Sequence, residues 1–413
     1  MKAIVKIEKL VHGGQGLVRL EDGRVVFLWG VLPGEEVEME TILEKKSYIE
    51  AAPRKIVKAS KDRVDPKEEN YIDTSPWQII GIDAENKIKT EIVRELYARA
   101  HVDIPKVQKA VFVGDEYGYR NGYVFRFCLD DNGDLSLATV ERKSNTLVPV
   151  QGSVLARPEI NQAALALLEQ LQSLHIKATT LSTLELRCDQ SGSVVAALVV
   201  RQKQMPKLKL APGMLGLKVS FRGRNTKTEH LYTLGNVELS DSLLGKSFHY
   251  GVDSFFQVNV PVYEKVLKKM KTLAMNEIVD MYSGVGVIGL SLAKGKVTLV
   301  ESNISSAAYA KINLQASGLA GDAVRVQSER ALEFIDKAKT IVFDPPRDGL
   351  DKKIIERLLE VKPAQILYLS CDPATQARDI AKLSQFYEIG HMSVYNFFPH
   401  TPHIETLVAL KKK

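Results

Sequence analysis

Cysteine is scarce in this chain of 413 residues: Cys128, Cys188 and Cys371 are the only three, and no two form a CxxC pair. An odd, widely spaced set excludes a disulfide framework and a tetrahedral thiolate metal site within one chain. Long apolar runs are also missing. No window approaches the roughly 18 to 20 residues of a membrane span, and the opening MKAIVKIEKLVHGG has no apolar signal core. A cytoplasmic location and no membrane partner are therefore expected. There is no low-complexity tract or internal repeat, and usage of 45% hydrophobic and 26% charged residues excludes a collagen-like or wholly disordered chain.

The net charge is only +6, but residues 201–250 hold nine Lys or Arg against three acids, equal to the whole-chain excess. Such a stretch is either a solvated face or an electrostatic track for phosphates, with Tyr232 and Phe248 nearby for stacking.

Length and texture divide the chain into three. Residues 1–58 read as short strands between glycine- and proline-bearing turns, which suits a small five-stranded, OB-like barrel. Residues 59–240 begin with a polar segment broken by Pro66 and Pro76. A helix from Ile80 to about Ala100 follows, then a mixture of strands and a helix, a central α+β domain. Residues 241–413 alternate short apolar runs with helical patterns, the mark of a parallel, doubly wound α/β sheet, in which ligands bind at the carboxyl ends of strands. Those ends carry Asp280, Glu301, Asp344 and Cys371.

In IVDMYSGVGVIGLSLA, Gly284, Gly286 and Gly289 satisfy GxGxxG between a strand and a helix start. The turn fits a nicotinamide dinucleotide, yet Asp280 before it and Glu301 at the next strand end also suit a cationic methionine moiety and ribose hydroxyls. Asp344 opens DPPRDG, where two prolines fix the backbone and present the acid rigidly. Cys371 ends the apolar run LYLS, so its sulfur should emerge at the same rim as a candidate nucleophile, whereas Cys128 and Cys188 read as buried small hydrophobes. In FFPHTPHIETLVALKKK, His400, His403 and Glu405 invite a metal reading. A short loop without a further ligand at matching spacing favours no metal and a carboxylate base, Glu405.

Together these segments resemble the RNA uracil-5-methyltransferase family. The resemblance covers nearly the whole chain, from a TRAM-type barrel in GGQGLVRLEDGRVVFLWGVLPGEEV through VDSFFQVN, DMYSGVGVIGLSLA, VESN, FDPPRDGLD and LSCDPATQARD to FPHTPHIETLVAL. It implies a Rossmann-like class I methyltransferase domain at the C-terminus and S-adenosylmethionine as cofactor. The expected substrate is RNA, 23S rRNA first and tRNA as the alternative, and a monomer is expected. By resemblance, Gln257, Tyr282, Gly284, Glu301 and Asp344 contact the cofactor, and Phe255 packs on the target base. Cys371 adds to uracil C6, and Glu405 removes the C5 proton. Val287 and Ser328 occupy positions where relatives usually have Asn. Many relatives hold an iron–sulfur cluster through four cysteines. VDPKEENYIDTSPWQII contains none, so a member without an iron–sulfur cluster is expected. Outside the resemblance stand a nicotinamide dehydrogenase that uses the GVGVIG turn without needing Cys371, and a non-catalytic RNA-binding protein.

Overall fold

The computed structural model describes residues 2–224, 226–275 and 277–413. Its first sheet comes from residues Lys2–Lys58, in the order Lys2–Lys6, Glu36–Glu44, Tyr48–Lys58, Val25–Leu28, Gly16–Arg19, Lys9–Leu10. The two edges of that order are one stretch of chain bent at Ile7 and Glu8. Its first half pairs with Glu36–Glu44 and its second with Gly16–Arg19, so the sheet closes on itself. Val5, Ile7, Val26, Leu28, Val37 and Met39 fill the interior.

A second sheet runs Glu229–Gly235, Met214–Phe221, Val194–Val200, Leu181–Cys188, Gly122–Leu129, Leu135–Val140, Leu147–Val150. Leu184, Leu186, Ala196, Leu198 and Leu217 cluster on the face covered by the helix Pro158–Ser173. Pro158 sits at the start of that helix, where a missing N–H costs nothing.

The third sheet has the order Gly321–Arg325, Val297–Glu301, Ile278–Asp280, Thr340–Phe343, Gln365–Ser370, Glu405–Lys412, Tyr387–Tyr395. The first five strands are parallel and flanked by helices; Ile278–Asp280, Thr340–Phe343 and Gln365–Ser370 are buried at every position, as unbroken apolar runs require. Glu405–Lys412 departs from the expected parallel arrangement and runs antiparallel to both neighbours. Only residues 396–404 separate it from Tyr387–Tyr395, too short a link for a parallel crossover.

Apolar packing ties two segments near the expected boundaries at 59 and 240 to the third sheet. The helix Ile82–Arg99 buries Ile92, Val93 and Tyr97 in one cluster with Val279, Phe343 and Tyr368 of the third sheet. The hairpin Glu238–Leu243 and Lys246–Gly251 places Leu239, Leu243, Phe248 and Tyr250 against that sheet's other face. An amphipathic pattern reveals that a face is buried, not which sheet buries it. Among the described residues, no helix is long and apolar enough to cross a membrane.

Candidate active site at the rim of the third sheet

The strand order of the third sheet reverses between Ile278–Asp280 and Thr340–Phe343, because the chain builds one flank first and then crosses to the other. Such a switch point leaves a crevice at the carboxyl ends of the strands. Asp280 and Glu301 end their strands there, while Asp344 and Cys371 directly follow theirs. Glu405 begins the antiparallel strand, so it reaches the same rim from the opposite direction.

The glycine turn is held by those acids. Gly284 and Gly286 have φ of 54° and 92°, left-handed conformations that favour glycine. Gly284 N–H donates to Glu301 Oε2 at 2.9 Å, Asn303 N–H to Glu301 Oε1 at 2.6 Å, and Gly289 N–H to Asp280 Oδ2 at 2.8 Å. A Cβ at Gly289 would lie 2.5 Å from a Leu299 methyl, which explains the third glycine by close packing. Burial pushes the Asp280 carboxyl up to about 7, helped by the charge of Glu301.

The turn also leaves polar atoms and open space for a ligand. The buried Ser283 hydroxyl and Asp280 Oδ1 have no protein partner, and nothing lies within 4 Å of where a Gly284 Cβ would stand. Asp344 is pushed up to about 7 by burial and by Asp280, against which the Gln257 amide acts. Acids disfavoured as lone anions, beside unpartnered polar atoms and open backbone, fit a cationic, hydroxyl-bearing ligand. Tyr282 packs near Phe343, with ring centroids 6.5 Å apart, and burial raises its hydroxyl to about 12. Ser328 donates its hydroxyl to the Met281 carbonyl, whereas Val287 is buried among apolar side chains.

Cys371 is half-buried and lines a cavity of about 400 Å3. The last sheet register is Ser370 opposite Thr406, so one further step sets Cys371 opposite Glu405. Burial pushes the Cys371 thiol up to about 12, reinforced by Glu405 and Asp344 and opposed by Arg347. Glu405 is 2% exposed, its Oε1 has no partner, and burial together with Asp344 raises its carboxyl well above the ordinary range.

The two histidines of this loop part company. His400 is buried, has φ of 62° and stacks on Tyr117 with centroids 4.2 Å apart. His403 Nδ1 lies 3.1 Å from Arg347 Nη2, and burial plus that cation hold it down at about 3, uncharged at neutral pH. Among the described residues, no group of three or more His, Cys, Asp or Glu comes together as a metal site.

Several cavity residues carry no signal in the sequence. His12 and Gly13 come from the first sheet, and Arg120 and Arg142 flank strands of the second. His12 Nε2 lies 3.5 Å from Asp372 Oδ2, next to the thiol-bearing residue. Asp372 also caps the helix Pro373–Leu383 by accepting from Ala374 and Thr375 N–H. Although burial opposes its charge, His12 and those backbone donors hold Asp372 down at about 2. The turn around His12 is seated firmly: Trp77 Nε1 donates to Gly14 O at 3.0 Å, and a Cβ at Gly14 would meet Pro402 at 2.6 Å.

The aromatics differ from expectation. Phe248 is 1% exposed and belongs to the core, and Tyr232 is partly buried against the core of the second sheet with its hydroxyl engaged by Pro206 O and Leu208 N–H, so neither is the fully exposed stacking platform read beside the basic stretch. Phe255, in contrast, is 61% exposed. Cys188 is buried, while Cys128 is half-buried on a sheet surface rather than in a core.

A family model for tRNA (uracil-5-)-methyltransferases matches residues 87–413. RNA methyltransferases described as uncharacterized, from Lactobacillus johnsonii and Enterococcus faecalis, are each 29% identical; the alignments cover 99% of this chain and 98% and 96% of those proteins. The crystal structure of Pyrococcus abyssi tRNA (uracil-54, C5)-methyltransferase, in complex with S-adenosyl-L-homocysteine, superposes with a TM-score of 0.80 at 22% identity. The superposition covers 99% of this chain and all of that one, which shows a shared fold. The family match overturns the nicotinamide reading of the glycine turn. The chain belongs to the tRNA (uracil-5-)-methyltransferase family and is an S-adenosylmethionine-dependent RNA uracil-5-methyltransferase.

Proposed function

We propose that this enzyme methylates C5 of a uridine through a covalent adduct between Cys371 and C6 of the base. The observation that carries the reading is the pairing of Cys371 and Glu405 across the antiparallel strand, with the thiol on an open cavity and the acid buried behind it.

C5 of uracil is too weak a nucleophile to take a methyl group unaided, so covalent catalysis divides the difficulty. Cys371 Sγ bonds to C6 while its proton leaves to solvent through the cavity, and the C5–C6 π electrons become an enolate-like nucleophile at C5. S-adenosylmethionine, when bound, supplies an electrophilic methyl group. Gln257, Tyr282, Gly284, Glu301 and Asp344 are the residues assigned to hold it. Glu405 as carboxylate then takes the C5 proton, the electrons of that C–H bond restore the double bond, and the C6–S bond breaks to free the thiolate. Asp344 can also hydrogen-bond the uracil edge.

The base must leave its stack to enter the cavity, at a cost of a few kcal/mol that stacking and phosphate contacts offset. Phe255, exposed beside Gln257, is assigned to that stacking. The closed first sheet is read as a TRAM-type RNA-binding barrel, because its turn at His12 forms one wall of the cavity. The C-terminal sheet is read as the Rossmann-like catalytic domain and the second sheet as an RNA-binding domain. The target is read as 23S rRNA; tRNA is the second reading, favoured by what the Pyrococcus enzyme acts on. Both are tested with labelled S-adenosylmethionine and rRNA and tRNA purified from cells lacking the protein. Label at C5 of one uridine supports the reading, and label elsewhere or hydride transfer would overturn it.

A further inference from the structure

The second sheet contains one parallel pair, Val194–Val200 beside Met214–Phe221, with Val200 opposite Phe221. Parallel strands end at the same edge, so the segments that follow them, beginning at Arg201 and Arg222, emerge side by side. That juxtaposition gathers cations which the sequence separates by about twenty residues. Arg201, Lys203, Arg222, Arg224 and Lys227 are all exposed. The nearby acid, Glu229, is paired with Lys203. The acidic turn at Asp130, Asp131 and Asp134 follows Gly122–Leu129, two strands across the sheet, and confines the positive field to one half of this edge.

The opposite end of the same sheet faces the catalytic cavity. Arg120 precedes Gly122 there, Gln190 N–H donates to Asp241 at 2.7 Å, and Arg187 Nε to Val252 O at 3.2 Å. Of the other four basic residues of the stretch, Lys218 is paired with Asp253 and Lys246 donates to Leu290 O, while Lys207 and Lys209 are exposed on the segment that returns toward Met214. Seven residues of strand, at 3.3 Å per step about 20 Å, therefore separate the cation cluster from the cavity end.

We infer that this far edge is a second anchor for an RNA phosphate backbone, so that the substrate is an RNA reaching at least about 20 Å beyond the target uridine rather than a short single strand. The inference rests on the proposed function and deepens it. Five cations with one paired acid form a sequence-independent phosphate site, whereas the cavity reads the base.

The test compares wild type with the triple variant Arg222→Glu, Arg224→Glu, Lys227→Glu, and with its Gln counterpart. The probes are total RNA from cells lacking the protein and the trinucleotide triuridylate, whose two phosphodiester steps are too short to span both sites. For total RNA, affinity should fall at least about tenfold in the Glu variant and less in the Gln variant. The log–log salt slope should become shallower by about three, one for each cation removed from a phosphate. Triuridylate affinity and the melting temperature should not change. Equal losses on both probes, or none on total RNA, would reject the anchor. Failure of wild type to methylate any of the RNA would instead reject the proposed function.

Discussion

Cys371 and Glu405 stand one pairing step beyond the Ser370–Thr406 register, on adjacent antiparallel strands whose ends meet at the rim. Directly opposed residues in such a ladder have Cβ atoms roughly 5 Å apart, close enough to act on one six-membered ring. Their protonation is linked as well: after burial, Glu405 contributes most to the elevated thiol pKa of Cys371.

The acids of the switch point make a statement about pH. Asp280 and Asp344 are both pushed up to about 7, mainly by burial, against about 3.9 in an unfolded chain. The folded protein therefore holds their protons more tightly than the unfolded one, and their contribution to stability, complete below about pH 4, is lost as pH rises through 7. Urea unfolding of the ligand-free enzyme should show a loss on the order of 2 kcal/mol between pH 6 and 8. Saturating S-adenosylmethionine, a cation, should flatten the profile. A ligand-free stability that is level or rising over this range would contradict the assignment.

His12 joins the barrel to the residue beside the thiol through Asp372. His12→Ala should lower the single-turnover methylation rate about tenfold by loosening the loop that carries Cys371, with little change in the KM for S-adenosylmethionine. Asp372→Asn keeps an acceptor for the helix cap but loses the charge, and in that background the His12 substitution should have almost no further effect. Additive losses in the double variant would show that the two side chains act separately.

Lys89 is fully buried, 2.8 Å from Glu85 and 2.7 Å from Asn396 Oδ1, while Asn396 Nδ2 returns a hydrogen bond to Glu85 at 2.9 Å. This network fastens the helix Ile82–Arg99 to the loop leading to His403 and Glu405. Lys89→Met should destabilise the protein by about 3 to 5 kcal/mol, because Glu85 is left buried without its partner. The double variant with Glu85→Leu should regain much of that in chemical denaturation. No recovery would mean that Glu85 is needed to accept from Asn396 Nδ2 and His400 N–H rather than as the partner of Lys89.

Much of the rim was legible because strand ends are local. Asp344 before two prolines, Cys371 after LYLS and the glycine turn each announce a strand's carboxyl end within a few residues. What was not legible depends on how distant segments meet. Nothing near His12, Arg120 or Arg142 marks them as walls of one cavity, since three sheets converge there. The helix Ile82–Arg99 has the amphipathic pattern expected of it, yet such a pattern does not specify which sheet covers the apolar face. Phe248 and Phe255 are equally apolar in sequence; the hairpin register turns one into the core, and the following turn exposes the other. The direction of Glu405–Lys412 follows from the brevity of the preceding link, which becomes decisive only once Tyr387–Tyr395 is known to be a neighbouring strand.

The proposed mechanism requires a bond between the Cys371 sulfur and one pyrimidine ring, with Glu405 as the base that permits its release. Glu405→Gln, incubated with S-adenosylmethionine and RNA from cells lacking the protein, should accumulate a protein–RNA adduct that survives denaturation and maps by mass spectrometry to Cys371, carrying the transferred methyl group. Methylated RNA from Cys371→Ala, or an adduct on any other residue, would contradict it.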